Sequence, residues 1–262
     1  MRFETTGEVI PGFHVLGAPE VPIYLLDAPR PALFDSGLTC LGRVYEKAVR
    51  AALGDRYPAM LFLTHSHFDH CGSAAYLGRA FPDMALVASA GLGEVMSRPS
   101  AVERIRFLSQ AATEQARSLG GGELLEEPFE PFELDQTVTD GDEVDLSGGT
   151  TVRAIATPGH TRDFVSYFVP DRKILVASEA VGCADTTGYV YVEFLVDFDS
   201  YLASLERLAA LDAEVLCQGH IYVFTADDVR AHLDRAISET HRYRAWVDRL
   251  LDEEHGDIPQ VV

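Results

Sequence analysis

Thr64-His65-Ser66-His67-Phe68-Asp69-His70-Cys71-Gly72 sets three imidazoles and one carboxylate within six consecutive positions. Ahead of it, Ala59-Met60-Leu61-Phe62-Leu63 is a short apolar run that reads as a buried strand. Behind it, Gly72-Ser73-Ala74-Ala75-Tyr76-Leu77 opens a segment of good helix formers. The cluster therefore falls where a strand leaves the core and turns into a helix. Side chains two apart on an extended chain share a face, so His65 and His67 can serve one ion together. Asp69 and His70 lie in the turn and can point to a second. Neutral imidazole suits zinc, iron and similar metals, and a carboxylate completes such a site without thiolate.

The spacing His-x-His-x-Asp-His resembles that of the metallo-β-lactamase-fold superfamily. The resemblance implies three more ligands in order: a histidine, a bridging acid and a late histidine. Thr157-Pro158-Gly159-His160-Thr161 supplies the first, and Gln218-Gly219-His220, after Val215-Leu216-Cys217, supplies the last. Between them Ile174-Leu175-Val176-Ala177-Ser178 leads into Glu179, where the family usually has Gly-Asp. Asp185, in the next loop, is the alternative acid. By this resemblance His65, His67 and His160 hold one metal, Asp69, His70 and His220 hold the other, and Glu179 bridges them. Glutamate is one methylene longer than the usual aspartate, so it can bridge, bind one ion only or push the pair apart. The implied fold is α/β, a four-layer αβ/βα sandwich, and the implied cofactors are two divalent metal ions. Zinc is expected first, with iron or manganese as alternatives. The likeness runs from about Gly12 to about Ala226.

The chemistry that the resemblance implies is hydrolysis. Two cations sharing a water lower its pKa toward ~7, so hydroxide can attack a small ester, lactone, thioester or amide. Asp69 is placed to orient that water and to pass its proton to the leaving group. Tyr189 and Tyr191, with Phe194, occupy the loop that relatives fold over the active site. A tyrosine hydroxyl there can donate to a carbonyl, as in the lactonase branch, or the loop can be a packed aromatic segment. Asp35, in Asp35-Ser36-Gly37, is expected to orient a ligand histidine. The competing class is an oxidoreductase, a persulfide dioxygenase with one iron on His65, His160 and Glu179. The glyoxalase-II version of the hydrolase calls for a cationic cluster that the sequence does not display, and the diiron flavoprotein branch has Glu where His67 stands.

Composition narrows the partners. Lys plus Arg is 21 against 41 for Asp plus Glu, a net charge of −20, which repels phosphate backbones and disfavours nucleic acid. A small-molecule substrate is expected, without a membrane, and a homo-oligomer is compatible with the sequence. Met1 to Glu8 shows no signal-peptide pattern, and Cys40, Cys71, Cys183 and Cys217 form no Cys-x-x-Cys pair. Reduced thiols and a cytoplasmic location are expected, with Cys71 a buried structural thiol.

With 262 residues the chain can form one domain, expected as two halves of about 1–122 and 133–262. Phe13-His14-Val15-Leu16, Ile23-Tyr24-Leu25-Leu26 and Ala32-Leu33-Phe34 read as strands. Leu41 to Leu53 has helical periodicity and ends at Gly54. A strand at Ala85-Leu86-Val87-Ala88 precedes a helix over Ser89–Leu119, broken near Arg98-Pro99-Ser100 and stopped by Gly120-Gly121-Gly122. From Glu123 to Asp145 ten acidic residues and no Lys or Arg predict an exposed linker. Beyond it come strands at Glu143–Leu146, Thr151–Ala156, Val165–Val169, Ile174–Ser178 and Val215–Cys217. A helix is expected over Asp199–Leu211. Ala226 to Leu251 reads as a long amphipathic helix carrying His232 and His241 on its surface.

Overall fold

A computed structural model describes residues 1–119 and 124–253. The expected helix stop at Gly120-Gly121-Gly122 lies outside the described residues. Among the described residues the short apolar runs pair into two sheets of seven strands, with Cys183–Ala184 and Val190–Tyr191 as a separate two-stranded ribbon. In the first sheet Gly7–Ile10, Phe13–Ala18, Val21–Leu26 and Ala32–Phe34 pair antiparallel in that order. Met60–Phe62, Ala85–Ser89 and Gln136–Val138 then continue it in parallel. The second sheet runs Arg2–Phe3, Val223–Thr225, Val215–Cys217, Ile174–Val176, Val165–Val169, Thr151–Ala156 and Glu143–Asp145. Ile174–Val176 and Val215–Cys217 are parallel neighbours, which brings their downstream loops side by side.

Alternation along each strand sorts the apolar residues into layers. Phe13, Val15, Tyr24, Leu26, Phe34 and Phe62 meet Val152, Ala154, Tyr167, Val176 and Cys217 between the sheets. Leu25, Leu33 and Leu61 point the other way, against α1 (Gly42–Leu53), α2 (Ala74–Ala80), α3 (Ala90–Met96) and α4 (Pro99–Ser118). Leu175, Leu216 and Phe224 pack on α5 (Phe198–Ala209) and α6 (Asp227–Glu253). Every inner strand is therefore covered on both faces, which is why these strands read as unbroken apolar runs. The result is the expected αβ/βα sandwich.

Local signals set the helix limits. Gly54 takes a positive φ of 62° after α1, and Pro99 opens α4 at its first turn, separating it from α3. Among the described residues no helix is long and apolar enough to cross a membrane.

Two expectations need correction. The acidic stretch is not a wholly exposed linker: Leu125 and Phe129 are buried, and Gln136–Val138 is the edge strand of the first sheet. Its Glu127 and Glu130 grip Arg79, so part of the acidic charge is paired across to α2. His232 is not a surface residue. Val229, His232, Leu233, Ala236 and Thr240 form the buried stripe of α6, at helical spacing.

His232 lies flat on Phe224, with ring centroids 4.4 Å apart, and its Nε2–H donates to the Val181 carbonyl at 3.0 Å. Burial brings its pKa down to about 4 from 6.5. The unfolded chain takes up a proton as pH falls through ~6.5, whereas the folded chain resists until about 4. His232 thus removes stability on acidification, by roughly 3 kcal/mol at pH ~4. His232→Gln can keep the donor to Val181 without the titration. The stability of the native protein minus that of His232→Gln, from urea unfolding, should drop by about that amount between pH ~7 and ~4. A constant difference would contradict a neutral, buried imidazole.

Candidate metal centre

The site lies beyond the carboxyl ends of the strands, the usual ligand position in open α/β sheets. Met60–Phe62 leads to His65, His67, Asp69 and His70, while Thr151–Ala156 leads to His160. Ile174–Val176 leads to Glu179, in a 3-10 turn over Ser178–Val181, and Val215–Cys217 leads to His220. Tyr167 Oη donates to Leu63 O and the Val165 N–H donates to Thr64 O, both at 2.9 Å. These two bonds tie the sheets together where the histidine stretch begins.

Three groups of ligand atoms each fit within 4.8 Å: His65, His67 and His160; His65, His70 and Glu179; and Asp69, His70 and His220. The first and third are the two trios expected from the sequence, and Glu179 lies between them. Its Oε1 is 2.8 Å from His70 Nε2 and 2.9 Å from His220 Nε2, and its Oε2 is 3.7 Å from His65 Nε2. Asp69 Oδ2 stands 3.6 Å from His220 Nε2 and 3.9 Å from His70 Nε2.

Hydrogen bonds on the far side of each ring fix which nitrogen faces inward. Thr64 Oγ1 lies 2.9 Å from Asp35 Oδ1 and gives its only proton to that carboxylate, so it accepts from His65 Nδ1 at 3.0 Å. His70 Nδ1–H donates to Asp35 Oδ2 at 2.9 Å. His220 Nδ1–H donates to the Glu20 carbonyl at 2.7 Å, and His160 Nδ1–H donates to the Glu193 carbonyl. Four rings thus turn Nε2 toward a common centre, and His67 adds its Nδ1, 3.1 Å from His160 Nε2. Among the described residues His65 Nε2 and His70 Nε2 are buried there without a hydrogen bond, His70 Nε2 facing the Glu179 carboxylate, a costly state unless a proton or an ion completes them. This donor set fits divalent transition metals, with outer partners of the kind that orient metal-binding imidazoles.

The electrostatics agree. Burial, helped by His70, holds the His65 pKa well below the usual imidazole range, and burial with His160 brings His67 down to about 4. Both rings are therefore neutral near pH ~7 and offer a lone pair. Burial also lowers His70, but Glu179, Asp69 and Asp35 outweigh it and raise its pKa. Burial alone would lift Glu179, yet His70 and His65 hold its carboxyl well below the ordinary value. A proton or a cation is needed between Glu179 and these rings, and metal binding would release that proton.

Backbone geometry around the clustered side chains is unusual. Ser178 (φ 48°) and Ile221 (φ 62°), which adjoin Glu179 and His220, adopt left-handed conformations, uncommon outside glycine and rarest for a β-branched residue such as Ile221. Gly219 at φ 91° has no room for a side chain, since a Cβ would come within 2.8 Å of Ser178 Oγ and 3.2 Å of Glu179 Oε1.

Other residues singled out in the sequence make contacts of their own. Tyr189 and Tyr191 stand edge to face, 4.9 Å apart, and are 43% and 50% exposed. Neither hydroxyl bonds a residue of the cluster among the described residues, and Tyr189 lines a groove with Val192, Tyr243 and Trp246. Asp185 accepts hydrogen bonds from the Thr187 and Tyr189 amides and so caps its own turn, away from the three groups. Cys71 is fully buried in the core, and Cys40, Cys183 and Cys217 are also buried; all four are free. Tyr222 is buried beside Phe224. Sequence reasoning missed Ser178, whose Oγ–H donates to Glu179 Oε2 at 2.7 Å, and the carbonyls of Glu20 and Glu193. A backbone acceptor carries no residue-type signal, whereas Ser178 stood next to the expected acid and was open to notice.

Fold and site together define an αβ/βα protein with a histidine-rich centre at one end of its paired sheets. Residues 20–220 match the Metallo-beta-lactamase superfamily, and the chain belongs to it. A hydroxyacylglutathione hydrolase of Brucella anthropi is 36% identical over 129 residues, 45% of this chain and 46% of that protein. Atrochrysone carboxyl ACP thioesterase of Aspergillus fumigatus is 24% identical over 191 residues, 72% of this chain and 46% of that one. The matched stretch thus spans under half of either relative. An archaeal metallo-beta-lactamase superfamily protein of Sulfolobus tokodaii has a similar fold, with TM-score 0.65 and 20% identity over 87% of this chain and 85% of its own.

Proposed function

We propose that the chain is a hydrolase that holds two divalent metal ions and cleaves a small carbonyl substrate: an ester, lactone, thioester or amide. The observation that carries this reading is the outward anchoring of four Nδ1 protons, which leaves four Nε2 atoms and the Glu179 carboxylate turned inward. His65, His67 and His160 would hold one ion and Asp69, His70 and His220 the other, with Glu179 shared. When bound, the ions supply acidification of a water and polarisation of the substrate carbonyl. Asp69, with a side chain 21% exposed, is the acid open to solvent and to substrate. It would take the proton of the attacking water and deliver it to the leaving group as the acyl bond breaks. Asp35, Thr64, Glu193 and Glu20 hold the rings in the orientation this requires. Both the hydroxyacylglutathione hydrolase and the thioesterase relatives carry thioester-hydrolase names or substrates of that kind, which supports the thioester within the range. The −20 net charge favours neutral or singly charged substrates.

The mononuclear dioxygenase alternative requires His65, His160 and Glu179 around one ion. The groups within reach instead join Glu179 with His65 and His70, and His160 with His65 and His67. Elemental analysis of the purified protein should give close to two ions per chain, on the order of the two-metal sites of known hydrolases. The zinc- or manganese-loaded protein should hydrolyse members of a thioester, ester and lactone panel under nitrogen. No bound metal after reconstitution would end this reading. Oxygen uptake on glutathione persulfide with no hydrolysis would change the class of reaction.

A further inference from the structure

We infer that Tyr201 is a positioning residue, its hydroxyl linking the segment that carries Glu179 to the segment that orients His160. The inference rests on the metal-site reading above. Tyr201 lies on α5 and is 1% exposed. Its Oη–H donates to the Glu179 carbonyl at 3.2 Å, and its Oη accepts the Glu193 N–H at 3.4 Å. The carbonyl of the same Glu193 is the acceptor for His160 Nδ1–H. The main chain of Tyr201 also lies against Gly159, next to His160, where a Cβ would come within 2.3 Å of Tyr201 Cα. One side chain thereby contacts the main chain at both Glu179 and Glu193 while its own backbone abuts the His160 loop. A buried tyrosine needs only one partner for its hydroxyl. Here both partners are backbone groups of segments that turn a donor toward the cluster. The hydroxyl therefore sets the spacing between the acid shared by the two trios and the histidine of the first trio.

Tyr201→Phe keeps the ring and removes both hydrogen bonds. Glu179 O retains the Gly182 N–H at 3.0 Å, so the turn keeps one donor. Cobalt(II), whose visible bands report coordination geometry, serves as the probe, with affinity measured by chelator competition. The variant is expected to bind at least one ion about 10- to 100-fold more weakly, the range seen when outer partners of metal ligands are lost. Its cobalt spectrum should change while the metal-free protein keeps its circular dichroism and cooperative melting. Tyr201→Met, a second variant without the hydroxyl, should show the same loss. Affinity within about twofold of the native protein and an unchanged spectrum would overturn the inference and leave the metal reading intact. Failure of both variants to fold would make Tyr201 a residue of the fold alone and also overturn it. Failure of the native protein to bind metal would remove both readings together.

Discussion

Glu179→Gln is expected to lower turnover by more than about 100-fold, beyond the usual effect of an outer partner, and to release at least one ion. The carboxylate lies within 2.9 Å of both His70 Nε2 and His220 Nε2, and its second oxygen faces His65. An amide in its place is a poor ligand for a divalent cation. It also brings N–H donors that can satisfy the inward Nε2 atoms directly, so the metal-free cluster gains an internal hydrogen-bond network where an ion is needed. Glu179→Asp retains the charge and restores the residue usual in the resemblance, so it should keep its metal and activity within about tenfold. Metal-to-protein ratios after gel filtration, with initial rates on the best substrate of the panel, read both variants. The opposite pattern, Glu179→Gln like the native protein and Asp185→Asn inactive, would move the acid to Asp185. That outcome is opposed by Asp185 already spending its carboxylate on Thr187 and Tyr189.

What could be read from the sequence follows from where the information resides. The strands were legible because runs such as Ile174-Leu175-Val176 are covered on both faces and stay apolar at each position. The clustered histidines and acids were legible because metal chemistry restricts residue type, and the strand before Glu179 marked its place among them despite the change from aspartate. His232 was misjudged by treating a histidine in an amphipathic helix as polar by default. Its spacing from Val229, Ala236 and Thr240 already put it on the buried stripe. Composition misled in the acidic stretch, where Leu125 and Phe129 anchor a segment whose charge is conspicuous. The anchoring of His160 and His220 could not be seen at all, since carbonyls of Glu193 and Glu20 do that work whatever the side chain. Tyr201 was equally hidden, because its role depends on three chain segments meeting in space.

Asp35→Ala is expected to cost about 3–5 kcal/mol of folding stability and to empty the second trio of its ion. Asp35 is 1% exposed and accepts from the Thr64 amide at 2.8 Å, from the Thr64 hydroxyl at 2.9 Å and from His70 Nδ1 at 2.9 Å. Removing it strands donors where water cannot replace the acceptor, and each buried unpaired group costs about 1–3 kcal/mol. Alanine is also less suited than Asp or Asn to the φ of 56° at this position. Asp35→Asn separates the two effects. It tolerates the backbone and keeps one acceptor oxygen, so its loss of stability should be smaller. Its NH2 group, however, must face either the Thr64 amide or His70 Nδ1. If the oxygen stays with Thr64, the NH2 favours the His70 tautomer with a bare Nδ1 and a proton on Nε2, the nitrogen that should bind the ion. Urea unfolding of the metal-free proteins should therefore rank native above Asn above Ala, while metal analysis should find both variants short of one ion. A full metal complement in Asp35→Asn would mean that packing against His65 and Ser178, and not the Asp35 carboxylate, sets the ring of His70.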